Sequence, residues 1–104
     1  MKYKVFVTPK AAGDLRQIRT WYDKESDLLS ERFFLSFDAA LGQISKNPHR
    51  FMALQPDVRR ALMRRFPYKI IFTVNEAMSY VYVIAVVHHA RSPRVSRYGA
   101  KYGA

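Results

Sequence analysis

Two groups of side chains in this sequence are of types that bind anions or transfer protons. The first is a basic run with five cations within eleven residues, namely Arg59, Arg60, Arg64, Arg65 and Lys69. A guanidinium presents a planar fork of N–H donors, so closely spaced arginines on a rigid strand suit a phosphate or a carboxylate. The alternative is a solvated sheet face whose charges discourage aggregation through a strand edge. We favour anion binding by this run.

The second group is the histidine motif His88-His89-Ala90-Arg91-Ser92-Pro93. Imidazole titrates near neutral pH, so a histidine at the end of a strand suits general acid or base chemistry. Neighbouring residues on a strand point to opposite faces, and therefore at most one of the two histidines faces a given site. The competing interpretation is structural, with a ring hydrogen-bonded to backbone at the end of the sheet.

Several kinds of chemistry find no matching residues. The chain has no cysteine, which excludes disulfides, thiolate nucleophiles and cysteine-ligated metal sites. The third histidine, His49, falls in a distant loop, and the carboxylates form neither a pair suited to glycoside chemistry nor an acidic metal cluster. There is also no glycine-rich phosphate loop and no nucleophile elbow. We therefore expect neither a metal nor a cofactor.

The charge of the chain is large and unevenly distributed. Lys and Arg total 18 against 8 Asp and Glu, which gives a formal net charge of +10. Residues 1–57 hold nine Lys/Arg and seven Asp/Glu, a net charge of +2, whereas residues 58–104 hold nine Lys/Arg and only Glu76, a net charge of +8. Such asymmetry points to a polyanionic partner: nucleic acid, an acidic protein segment or a membrane surface.

The first half of the chain predicts a strand followed by two helices. Alternation over Lys4–Thr8 is typical of a short strand. Thr8-Pro9 matches an N-cap followed by proline at the first helical position, and apolar residues at helical spacing predict a helix to about Asp23. Ser26 or the residue after it caps a second helix. This helix ends at Asn47-Pro48, because a residue before proline is disfavoured in the helical region.

The second half predicts three strands, Val58–Arg65, Tyr68–Val74 and Tyr80–Val87. The last strand is apolar on both faces, which places it inside the sheet. Alternation in the first strand puts Arg60 and Arg64 on one face and Arg59 and Arg65 on the other. The element order is β-α-α-β-β-β, an α+β fold in which a two-helix hairpin packs on a small, mostly antiparallel sheet.

The length of 104 residues corresponds to one domain. We expect residues 1–93 to form this domain and residues 94–104 to form a basic tail that is poorly ordered without a partner. The longest apolar run, Tyr80–Val87, is far shorter than the roughly 20 residues that cross a bilayer, and the N-terminus lacks the pattern of a signal peptide. We therefore expect a cytoplasmic protein.

Four segments, in this order and spacing, resemble the RelE/ParE superfamily of toxins from type II toxin–antitoxin modules. They are Val7-Thr8-Pro9-Lys10-Ala11, Ser45-Lys46-Asn47-Pro48, Arg64-Arg65-Phe66-Pro67-Tyr68-Lys69-Ile70 and the ending His88-x-x-Arg91-x-Pro93. The resemblance spans residues 3–93. It is closer to the ParE-like members associated with plasmid stabilisation than to the ribonucleases.

The resemblance implies one of two activities. ParE-like members inhibit DNA gyrase without nuclease chemistry, and we expect this chain to arrest growth in that way and not to be an enzyme. RelE-like members are ribosome-dependent, metal-independent mRNA endoribonucleases, and in that alternative His88 and Arg60 are the catalytic residues. The chain lacks the lysine-rich second helix of the ribonucleases, and also the tyrosine that follows their last strand unless Tyr98 replaces it. A third hypothesis is an inactive relative that persists as an antitoxin sink or as a DNA-bound co-repressor.

The resemblance also implies a cognate antitoxin, an acidic protein that wraps a segment over the toxin and through which alone the toxin reaches operator DNA. Gyrase, or the ribosome with its message, is then the target. We assign the binding of target or antitoxin to the remaining basic residues, which are Arg59, Arg64, Arg65, Lys69, His89, Arg91 and Arg94.

Overall fold

The computed structural model of the chain describes residues 2–90. The elements are β1 (Lys4–Val7), α1 (Pro9–Glu25), α2 (Asp27–Lys46), a 3₁₀ turn (Pro48–Arg50), β2 (Met52–Gln55), β3 (Val58–Leu62), β4 (Tyr68–Asn75) and β5 (Tyr80–His88). They form one five-stranded sheet in the order β1-β5-β4-β3-β2. β1 is parallel to β5 and the other pairs are antiparallel, which confirms the predicted α+β class.

Local capping explains where the helices begin and end. The Thr8 side chain accepts a hydrogen bond from the Ala11 amide, and proline occupies the first helical position of α1. Ser26 serves both helices: its backbone amide donates to the Tyr22 carbonyl at the end of α1, and its hydroxyl accepts from Leu28 at the start of α2. One residue therefore produces the sharp reversal of the helical hairpin.

The two helices cover one face of the sheet, which we call the inner face. The main core lies between the helices and the sheet, and its largest fully buried side chains are Phe33, Ile44, Ile70, Phe72, Val81 and Val83. The opposite, outer face carries a second cluster made of strand residues, namely Val58, Ile71, Ile84 and Ala85. Within residues 2–90, neither helix is both long and apolar enough to cross a bilayer.

A bulge decides which face the end of β5 presents. The pairing of β4 with β5 shifts register by one residue, and Ile84 is the extra residue in β5. Ile84 and Ala85 both belong to the outer cluster, although consecutive strand residues normally alternate between faces. Val86 accordingly returns to the main core. His88, two residues further on, therefore shares the inner face.

The structure contains one strand that the sequence did not predict. β2 is four residues long, pairs with β3 and forms an edge of the sheet. Its residues are mostly exposed, so they show no alternation between apolar and polar side chains. The pairing with β3, and not a pattern within β2 itself, defines this strand.

The predicted extent of β3 is wrong at its C-terminal end. The strand stops at Leu62, and the Met63 amide donates to the Tyr68 carbonyl at 3.0 Å, which closes the loop of residues 64–67. Arg65 has a φ of 70°, in the left-handed region that no strand uses. Arg64 and Arg65 therefore lie in the β3–β4 loop, and not on opposite faces of a strand.

Candidate functional site

The five cations of the basic run do not form one surface. Arg60 and Lys69 lie on the outer face, where Arg60 pairs with Ile71 and Lys69 pairs with Val87. The Nε and Nη2 atoms of Arg60 lie 3.3 and 3.2 Å from the sulfur of Met52 on β2. Both guanidinium and ammonium groups are therefore on the side of the sheet away from the helices.

The Arg59 side chain points away from the outer face and forms hydrogen bonds within the fold. Its Nη1 atom donates to the Phe51 carbonyl at 2.8 Å and to the His49 carbonyl at 3.3 Å. These bonds hold the end of the 3₁₀ turn against β3. We infer a structural role for Arg59, although the sequence assigned it to partner binding.

Arg64 and Arg65 lie beside α2. The Arg64 carbonyl accepts a hydrogen bond from the Ser36 hydroxyl at 3.0 Å, which ties the β3–β4 loop to the helix. An open groove of about 620 Å³ separates α2 from this loop, and we call it the α2 groove. Its lining residues are Leu29, Arg32, Leu35, Ser36, Ala39, Arg64, Arg65 and Phe66. Every charged residue in that set is an arginine.

His88 lies at the end of β5 on the inner face. It pairs across the sheet with Tyr68, and the two rings meet edge-on with centroids 5.6 Å apart. The Nδ1 atom accepts a hydrogen bond from the Ala90 amide at 3.1 Å, which places the proton of a neutral ring on Nε2. His88 lines an open groove of about 460 Å³, the α1 groove, together with Lys10, Asp14, Gln17 and Trp21.

His89 takes part in the fold through its backbone. Its amide donates to the Pro67 carbonyl at 2.9 Å, which joins the end of β5 to the β3–β4 loop. The ring is exposed, with its centroid 6.5 Å from that of His88. Arg91 and Arg94, which the sequence also assigned to binding, lie outside the described residues, as do Tyr98 and the predicted tail.

Asp14 is an important residue that the sequence reasoning missed. Its Oδ2 atom accepts a hydrogen bond from the Val86 amide at 2.9 Å, and its Oδ1 atom lies 2.7 Å from the Lys10 ammonium. β1 stops at Val7 and no longer pairs with β5 at this level. The carboxylate therefore accepts the hydrogen bond that a carbonyl of a neighbouring strand would otherwise accept from the Val86 amide. The bonded partner is 72 residues away in the chain, so no local signal marks Asp14.

A second polar cluster joins β1, the 3₁₀ turn and the β4–β5 turn. The Glu76 carboxylate accepts from the Tyr3 hydroxyl at 2.9 Å and lies 2.5 Å from Nε2 of His49. The hydrogen bond from His49, and after it that from Tyr3, holds the pKa of Glu76 below its ordinary value. The same carboxylate raises the pKa of Tyr3. All three side chains are solvent-accessible, so this cluster links loops and is not a buried reaction centre.

The two residues proposed for ribonuclease chemistry are not brought together. His88 lies on the inner face beside α1, whereas Arg60 lies on the outer face beside β2. A strand exposes alternate side chains on opposite sides of the sheet, so the sheet itself stands between them. The structure instead separates the candidate residues into the outer face, the α2 groove and the α1 groove.

Comparison with known proteins places this arrangement in a defined class. A chain from the chromosomal ParDE toxin–antitoxin system of P. aeruginosa superimposes with a TM-score of 0.71 at 16% identity, covering 84% of this chain and 96% of that one. The free E. coli RelE toxin, in an arginine double mutant, gives a TM-score of 0.67 at 18% identity with 97% of both chains covered. At these identities the similarity establishes the fold, which is that of the RelE and ParE toxins.

The sequence itself identifies the family. Residues 5–93 match the family described as ParE toxin of type II toxin-antitoxin system, parDE, and the chain belongs to that family. It is a toxin of the type II toxin–antitoxin class. The RelBE2 toxin–antitoxin complex of Mycobacterium tuberculosis contains a further similar chain, with a TM-score of 0.58 at 22% identity over 85% of this chain and 99% of that one. Comparison with curated proteins gave no significant match.

Proposed function

We propose that this toxin arrests growth by inhibiting DNA gyrase through surface binding, and that it acts in the cytoplasm, where its target is found. The observation that carries the proposal is the separation of His88 from Arg60 by the sheet. Metal-free RNA cleavage needs a base, an acid and a cation around one phosphodiester. Among the described residues, the polar side chains that line the α1 groove with His88 are those of Lys10, Asp14, Gln17, Trp21 and Tyr68, and the Lys10 ammonium is paired with Asp14.

The remaining features support a binding protein. The net charge of +10 favours association with anionic surfaces and raises association rates. Arg60 and Lys69 present cations on the outer face next to Leu62, whose side chain is exposed. A cation beside apolar surface is typical of a protein interface. We assign gyrase binding to this outer-face patch of Arg60, Leu62 and Lys69.

A cognate antitoxin is the second partner in the proposal. The family description and the names of the P. aeruginosa and M. tuberculosis relatives each refer to a toxin–antitoxin pair. The excess of arginine and lysine in this chain calls for a partner rich in aspartate and glutamate. We propose that contact with operator DNA, where it occurs, is made through that antitoxin.

Two parallel assays test the proposed target. Purified toxin is added to gyrase with relaxed plasmid and ATP, and separately to ribosomes translating a defined message. We expect supercoiling to fall as toxin is added while the message stays intact. His88→Ala should retain this effect, whereas the double variant Arg60→Ala with Lys69→Ala should lose most of it. Cleaved message with normal supercoiling, abolished by His88→Ala, would establish the ribonuclease alternative instead.

A further inference from the structure

An exposed methionine lies beside the outer-face patch. Met52, on the edge strand β2, pairs directly with Arg60 of β3. Opposite residues of an antiparallel pair share one face of the sheet, so both side chains are on the outer face. Met52 is 59% exposed and belongs to neither apolar cluster of the described residues. Its thioether is therefore open to small solutes and is not needed to fill the core.

Two N–H groups of Arg60 point at the Met52 sulfur. Nε lies 3.3 Å and Nη2 lies 3.2 Å from Sδ. These nitrogens form one edge of the planar guanidinium, so a single acceptor atom receives both hydrogen bonds. Neither ion pair found within residues 2–90 includes Arg60. The guanidinium is therefore held only by a weak acceptor, and a binding partner can take it over at little cost.

Oxidation of a thioether to a sulfoxide replaces a weak acceptor by a strong one. Hydrogen peroxide transfers an oxygen atom to a lone pair of the sulfur: the S–O bond forms and the O–O bond breaks. The sulfur is oxidised, the peroxide is reduced, and the proton of the transferred hydroxyl moves to the departing oxygen, which leaves as water. A sulfoxide oxygen carries partial negative charge, and its hydrogen bond from a guanidinium is charge-assisted.

The geometry of the contact suits capture of the product. The new oxygen is bonded to a sulfur that already lies in front of both donors. The methionine side chain has three rotatable bonds, so a small rotation brings the oxygen to the usual N–H···O distance. One sulfoxide oxygen can then accept from Nε and Nη2 together. The oxidised side chain would hold Arg60 more firmly than the reduced one does.

The other two methionines among residues 2–90 each lack one of these properties. Met63 is 5% exposed and lies in the main core, so peroxide has little access to its sulfur. Met78 is 56% exposed after β4, but its backbone amide, and not its sulfur, makes the hydrogen bond to Asn75. Met52 therefore combines access to an oxidant with a cation placed to hold the product, and Met78 is the matched control.

We propose that Met52 is a reversible oxidation site, and that its sulfoxide accepts both Arg60 hydrogen bonds and withdraws the guanidinium from the outer-face patch. The inference rests on the proposed function in taking this patch as the target-binding surface. A target must first break the stronger bonds to Arg60, so oxidation weakens binding while the fold stays intact. Methionine sulfoxide reductases reverse the change.

The first measurement follows Arg60 in the free, full-length toxin. Isotope-labelled toxin is treated with hydrogen peroxide until peptide mapping shows one added oxygen at Met52, and the Arg60 Nε–H signal is recorded by NMR. The signal should shift, and its exchange with water should slow by about 10-fold, because the proton enters a stronger hydrogen bond. Met52→Leu keeps the other three methionines and should show no change on treatment. Met78→Leu should respond like the wild type.

The second measurement is inhibition of gyrase supercoiling by the same proteins. Half-inhibition should need about 10-fold more oxidised than reduced wild-type toxin, the loss expected when a charge-assisted hydrogen bond must be broken first. Reductase with a thiol should restore the potency. Peroxide should leave Met52→Leu at its own potency and weaken Met78→Leu as it weakens the wild type. In Arg60→Ala, oxidation should add no further loss.

The outcomes separate this inference from the proposed target. An unchanged Arg60 signal after complete oxidation of Met52 would overturn the inference, whatever the toxin inhibits. So would unchanged potency on gyrase, an equal loss of potency in treated Met52→Leu, or a large fall in the thermal midpoint on oxidation, which would show damage to the fold. A reduced toxin that leaves gyrase active would refute the proposed target alone, and the Arg60 signal would then decide the capture by itself.

Discussion

Replacing Arg59 with alanine should destabilise the fold, although Arg59 belongs to a run of cations that suggests partner binding. Its guanidinium donates to the Phe51 carbonyl at 2.8 Å and to the His49 carbonyl at 3.3 Å. A hydrogen bond with one charged partner contributes about 1.5–3 kcal/mol, and the longer, exposed bond adds little. We expect the free energy of unfolding to fall by about 2 kcal/mol. For a domain of this size, that loss lowers Tm by roughly 10 °C.

The neighbouring residue provides the matched control. Arg60 carries the same charge one position later, but its side chain lies on the outer face. Within the part of the chain that the structure describes, its guanidinium forms hydrogen bonds only to the Met52 sulfur. Arg60→Ala should change the free energy of unfolding by less than about 0.5 kcal/mol. Urea titrations followed by far-UV circular dichroism measure both variants. Equal stability of the two variants would refute the structural role assigned to Arg59.

Three further predictions concern stability. Asp14→Ala leaves the Val86 amide without its hydrogen-bond partner and should lower the free energy of unfolding by about 2 kcal/mol. Lys10→Ala removes only the half-exposed ion pair and should lower it by less than about 0.5 kcal/mol. Similar urea midpoints for the two variants would contradict this prediction. Ser30→Ala should raise the thermal midpoint, because the buried Ser30 hydroxyl has no hydrogen-bond partner among the described residues, and a lowered midpoint would show otherwise. The pKa of Glu76 is lowered in the fold, so the ionised carboxylate contributes fully to the free energy of unfolding above the ordinary glutamate pKa, and this contribution is lost as the pH falls through the folded pKa. Urea midpoints measured from about pH 6 to pH 3 should therefore fall less steeply for Glu76→Gln than for the wild type.

The helical half of the fold could be predicted because its signals are local. Thr8-Pro9 and Asn47-Pro48 mark helix ends through the conformational restrictions of proline, and the predicted boundaries agree with the structure within two residues. Ser26 caps α2 as expected. The interior position of β5 also follows from composition, since a strand that is apolar on both faces must be covered on both.

The candidate site could not be predicted to the same extent, because it depends on contacts between distant residues. A strand alternates with a period of two, so one extra residue exchanges the faces of all residues beyond it. Ile84 is that residue, and nothing in the apolar run Tyr80–Val87 distinguishes it from its neighbours. The face of the sheet on which His88 lies could therefore not be predicted from the sequence alone. The loop position of Arg64 and Arg65 likewise depends on a hydrogen bond from Ser36 in α2, which lies 28 residues before Arg64 in the chain.

The division of the basic run into three environments makes the meaning of a lost charge depend on its position. Removing Arg59 weakens the fold, so toxicity should fall together with protein abundance and recover when the fold is stabilised elsewhere, for instance by Ser30→Ala. Removing Arg60 and Lys69 leaves the fold intact, and toxicity should fall at unchanged abundance. We expect reversal of Arg64 and Arg65, which the sequence assigns to the binding of target or antitoxin, to weaken antitoxin binding, so that cells become sensitive to the toxin even while antitoxin is present. Three distinct phenotypes from neighbouring cations would follow from the geometry of β3 and its loop, whereas one shared phenotype would show that the run acts as a single surface after all.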